Sequence, residues 1–79
     1  MTTDYRPIPC QMYAELELAI MHQVQLRLAW HTADGQARLD QILPVDLLTR
    51  AHEEFLLAED SAGAPLEIRL DYISGFTPI

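Results

Sequence analysis

Cys10, His22, His31 and His52 are the side chains that could ligate a metal or serve as a nucleophile and its base. A thiolate and three imidazoles would complete a tetrahedral zinc site, but no two of them stand at the spacing of a chelating pair, so no metal is expected. Cys10 lacks the local signature of a catalytic cysteine, and an ordinary buried thiol accounts for it. No acid pair marks a cleft, and there is no glycine-rich phosphate loop. Neither enzymatic activity nor a cofactor is expected. The chemistry that remains is recognition.

Charge narrows what could be recognised. Twelve acidic residues against five basic ones give a formal charge of −7, and every basic residue is arginine. Such a surface repels phosphate backbones at long range and attracts cationic partners. Direct binding of nucleic acid is therefore disfavoured, and a partner that itself holds nucleic acid is favoured. With one cysteine, an intrachain disulfide is ruled out. The N-terminal residues show no basic segment followed by an apolar run, and no apolar stretch approaches the roughly 20 residues of a membrane span, so a cytoplasmic, membrane-free protein is expected.

The elements that would position these groups follow from periodicity. Nearly half the residues are apolar, enough for a packed core in a single domain spanning 1–79. Pro7 and Pro9 hold residues 1–9 in an extended arm. Across 10–23 the pattern is helical: Met12, Tyr13, Leu16, Ala19 and Ile20 share one face, while Gln11, Ala14, Glu15, Leu18 and His22 share the other. Glu17 lies at the flank of the apolar stripe. Over 24–76 short strands are expected. Val24, Leu26, Leu28 and Trp30 alternate with polar or small residues, and Thr32-Ala33-Asp34-Gly35 forms a hairpin turn. The partner strand runs from Gln36 to Leu43, with Ala37, Leu39 and Gln41 on one face, and Pro44 ends it. Residues 45–52 are compatible with a helical turn. Strands at 54–59, 66–70 and 72–76 follow, the last two meeting at a bend near Asp71, and Pro78 blocks further pairing. One helix followed by about five short strands predicts a mainly β fold, closed or bent to protect its edges.

By residue type alone, Tyr13 and Trp30 are core aromatics, Glu15 and Glu17 are solvated helix acids, and Arg50 is a surface or salt-bridged residue. Glu53-Glu54 and Glu59-Asp60 read as solubilising charge.

A resemblance sharpens this. Tyr5-Arg6-Pro7-Ile8-Pro9-Cys10, followed by Tyr13-Ala14-Glu15-Leu16-Glu17-Leu18-Ala19 and His22, resembles the opening of the Rof family, small bacterial Rho-binding antiterminators. Asp34-Gly35, Asp46-Leu47 with Arg50, Glu54-Phe55-Leu56, and Arg69-Leu70-Asp71 with Ile73, Ser74 and Phe76 extend the similarity along nearly the whole chain. The resemblance implies a small Sm-like antiparallel barrel or sandwich of five to six strands, preceded by one N-terminal α-helix. It implies a monomeric inhibitor that docks on the N-terminal RNA-binding domain of the termination factor Rho and blocks RNA loading at the primary site. The partner-binding residues it points to are Tyr13, Glu15, Glu17, Asp46 and Arg50. The family pattern has acidic residues where Gln11, Met12 and Ala14 stand here, and Glu15 restores one charge a single position away. The alternative left by the fold is an Sm-like RNA-binding module or another protein-interaction domain.

Overall fold

Apolar periodicity places the first element where it was expected. In the computed structural model, which describes residues 4–79, helix α1 spans Cys10–Met21; the first three residues of the expected arm lie outside the described residues. Leu16 and Ala19 are buried, with Met12, Tyr13 and Ile20 packed against the same core. Pro9 precedes the helix without a side-chain cap, and its carbonyl accepts the Tyr13 N–H at 3.1 Å. At the other end Gln23 takes φ 55°, which lets the Val24 N–H reach back to the Ala19 carbonyl at 2.9 Å and satisfy an otherwise orphaned acceptor.

Five strands follow: β1 (Leu26–His31), β2 (Ala37–Arg50), β3 (Glu53–Asp60), β4 (Pro65–Arg69) and β5 (Ile73–Pro78), with a 3-10 turn at Leu70–Tyr72. They form one antiparallel sheet in the order β4-β3-β2-β1-β5. This is the mainly β fold with a single leading helix. β2 is the pivot. It pairs with β1 from Ala37 to Ile42 and with β3 from Ile42 onward, so one long strand serves two neighbours. Register shifts between Pro44 and Asp46 on β2, and between Ala29 and Trp30 on β1, supply the local bends that small curled sheets need.

The innermost core draws on the helix, four of the five strands and the 3-10 turn: Leu16 from the helix, Leu26 and Leu28 from β1, Ile42 from β2, Leu56 from β3, Ile68 from β4, then Leu70 from the 3-10 turn. Each is no more than 1% exposed. Burying a leucine side chain contributes about 2 kcal/mol, so this core is the main source of stability in a small domain.

The structure departs from the expectations at definite points. Pro44 does not end β2: the strand runs through it to Arg50, and no helical turn forms at 45–52. The missing proline donor is tolerated because β1 has stopped pairing at Ile42 and the bulge begins there. The Ala37, Leu39, Gln41 face is the solvent face, with Leu39 67% exposed; Ile42 and Pro44 carry the buried parity. Pro78 is itself the last residue of β5, opposite Leu26. Cys10 is exposed rather than buried, since it lies at the helix entrance and off the apolar stripe. No helix among the described residues is long and apolar enough to cross a membrane.

Candidate functional site

The side chains at Tyr13, Glu17, Ile20 and Met21 lie one helical turn apart along one flank of α1. Across from them, the β2 bulge presents Asp46 and Leu47, and together these six residues line an open groove of about 340 Å³. Asp46 is fixed locally by accepting the Leu47 N–H at 2.8 Å. The groove thus has an apolar floor (Ile20, Leu47 and the 71%-exposed Met21) between two carboxylates and a phenol.

Tyr13 is half-buried, and its hydroxyl pKa is raised, first by burial and then by the carboxylates of Glu54, Glu17 and Asp46. The phenol therefore stays protonated as a hydrogen-bond donor with an aromatic face. An arrangement of this kind suits a cationic side chain with an apolar stem: the aliphatic part covers the floor and the charge meets the carboxylates.

Tyr13, Glu17 and Asp46 are three of the five residues named from the sequence, and the fold brings them together. The other two stand elsewhere. Glu15 is on the opposite flank of α1, hydrogen-bonded by Gln11 at 3.3 Å, at the rim of a second groove of about 390 Å³ floored by Leu18, Val24, Leu26 and Phe76. Arg50 closes β2, where its guanidinium lies 4.9 Å from the Phe55 ring centroid and reaches over β3 to an ion pair with Glu67.

The residues missed from the sequence surround Arg69. This guanidinium is 4% exposed and donates to both Asp71 carboxylate oxygens at 2.6 Å, to Glu53 at 3.3 Å and to the Asp4 carbonyl at 3.2 Å. The Tyr5 and Tyr72 rings lie against it, 5.6 Å and 4.6 Å from its carbon centre. Its pKa is raised by the Asp71 hydrogen bonds, against the opposing effect of burial. Burial pushes Asp71 upward, but the bonds from Arg69 and from the Arg6 N–H at 3.1 Å outweigh it and leave its pKa lowered. Tyr5 in turn donates to Glu54 at 3.1 Å. Glu53 and Glu54 are thus structural partners, not merely solubilising charge. The arm from Asp4 to Arg6 is pinned to the far end of the chain by these contacts. Arg69 stands on the outer parity of β4, beside the inward Ile68; the available signal was its place two residues before an acid, at the bend where the Leu66, Ile68, Leu70 alternation ends.

Among the described residues no three His, Cys, Asp or Glu side chains converge as a metal site would require.

No family model matches the chain. It is 39% identical over 77 residues to protein rof of Escherichia coli (strain K12), a match covering 98% of this chain and 86% of that protein. Protein rof of Shigella flexneri matches with the same identity and coverage. Among solved structures, proteasome accessory factor B/C of Arthrobacter aurescens contains a region similar in fold, with a TM-score of 0.79 at 21% identity. That likeness covers 98% of this chain but only 13% of the other, and it speaks to fold alone.

Proposed function

The chain belongs to the Rof family, and from that premise we propose that it is a cytoplasmic protein inhibitor of the termination factor Rho. It docks on the N-terminal RNA-binding domain of Rho and keeps RNA from the primary site. No bond is made or broken; occupancy is enough to give antitermination.

The observation that carries this proposal is the groove in which Tyr13, Glu17 and Asp46 converge over an apolar floor. A surface that holds RNA must present cations to phosphates, and those cations are the partners two carboxylates would take. The overall charge of −7 steers the encounter through the same field. Steering sets mainly the association rate, while affinity comes from the few groups desolvated on docking. Tyr13, Glu17 and Asp46 form the centre of the docking surface. Glu15 and Arg50 stand outside this centre, the first adding long-range charge from the opposite flank of α1 and the second already engaged by Glu67.

The test is retention of the purified protein on immobilised Rho, with and without single-stranded RNA as competitor. Retention at low salt, reduced by RNA, is the expected result. A protein that neither binds Rho nor lowers its RNA affinity would end this proposal. If the protein itself binds RNA with steep salt dependence, the Sm-like RNA-binding alternative takes its place.

A further inference from the structure

We propose that the N-terminal arm is a working part of the groove: by hydrogen-bonding Glu54, Tyr5 holds that carboxylate where it adds to the negative surface offered to a basic partner. This rests on the docking role given above and extends it to two residues outside the groove lining.

The geometry begins on β3. Glu54 shares its strand face with Leu56 and Ala58, which are 0% and 2% exposed. Leu56 stands opposite Leu47, a floor residue of the groove, and Glu54 follows two positions back, opposite Thr49. Glu54 is therefore an acid on the inward row, at the point where that row runs out of core. Glu54 is half-buried there, and a hydrogen-bond donor fixes its carboxylate. The donor is the Tyr5 hydroxyl, 3.1 Å from Oε1, and Tyr5 cannot drift because its ring rests on Arg69 and its neighbours Asp4 and Arg6 are bound by Arg69 and Asp71. Tyr13 senses the result: of the three carboxylates that raise its hydroxyl pKa, Glu54 acts most strongly, ahead of Glu17 and Asp46. Tyr5 is a positioning residue here, and Glu54 is the charge it positions.

The experiment compares Rho affinity and its salt dependence for the unaltered protein, Glu54→Gln, Tyr5→Phe and Glu17→Lys, with thermal unfolding of each. Glu54→Gln is expected to bind about tenfold more weakly, with a shallower dependence on salt because a charge is gone. Tyr5→Phe keeps its ring over Arg69 and keeps every charge; it should bind about threefold more weakly with the salt slope retained. If Glu17→Lys loses binding while Glu54→Gln and Tyr5→Phe bind as the parent does, the arm has no part in docking and only this inference falls. If the unaltered protein does not bind, the docking role falls and this inference with it. Should Glu54→Gln fail to fold, an unchanged affinity in Tyr5→Phe alone overturns it.

Discussion

Arg69 and Asp71, two residues apart at the junction of β4 and the 3-10 turn, face each other through two parallel hydrogen bonds of 2.6 Å. The guanidinium is 4% exposed and the carboxylate 10%, so neither is compensated by bulk water. Removing one partner would strand the other. Asp71→Ala is expected to destabilise the fold by roughly 3 kcal/mol, read by urea unfolding. A loss under 1 kcal/mol would show that Glu53 alone is a sufficient counter-charge.

The same pair sets an acid limit. The folded pKa of Asp71 is lowered, so its contribution is fully present above the unfolded value near ~3.9 and disappears as pH falls through that value toward the folded one. Unfolding free energy should hold level from neutral pH to about 5 and then decline. The decline should be shallower in Asp71→Asn, which has no proton to take up at that position.

Groove geometry ranks the helix acids. Glu17→Lys and Asp46→Lys each place a cation inside the groove and are expected to weaken Rho binding at least about tenfold, with the fold retained. Glu15→Lys alters the opposite flank and should cost less, through the association rate alone. Surface-immobilised Rho would separate on-rates from off-rates; equal losses in all three variants would contradict the ranking.

Tyr13 offers a readout of the groove without any partner. Glu54→Gln removes the strongest of the charges opposing its ionisation, so its ring resonance should titrate at lower pH in the variant. An unmoved midpoint would show that the Glu54 charge does not act on the Tyr13 hydroxyl.

The turn between β2 and β3 stores strain that can be relieved. Ala51 and His52 adopt φ of 52° and 65°, the left-handed pair of a two-residue hairpin. Asn at 51 and Gly at 52 suit that geometry, and Ala51→Asn with His52→Gly should raise stability by about 1 kcal/mol. Thermal unfolding checks it.

How much of this was legible in the residues depended on which signals were local. The helix, the β1 alternation and the Asp34-Gly35 turn could be read directly because apolar spacing and turn chemistry act over a few positions. The β2 strand could not. Its inward parity passes through Asp40 and Pro44 while Leu39 points to solvent, so an apolar pattern misleads. Asp40 is held there by the Trp30 indole N–H at 2.9 Å, a contact between two strands. Pro44 normally stops a strand, and only the paired register shows that its missing donor faces no neighbour. The Arg69 cluster joins Asp4, Tyr5, Glu53 and Asp71 from distant segments; nothing in their individual types announces it. For the groove, Tyr13 and Glu17 share a helix flank by spacing alone, whereas Asp46 joins them through a bulge that no sequence pattern marked.

The bond between the Arg6 N–H and Asp71 spans 65 positions. A loop that long is expensive to close before the intervening strands have paired, so this clasp can form only once the sheet exists. Substitutions there should leave the folding rate nearly untouched and hasten unfolding instead. The arm then governs how long the finished structure lasts, not how quickly it is reached.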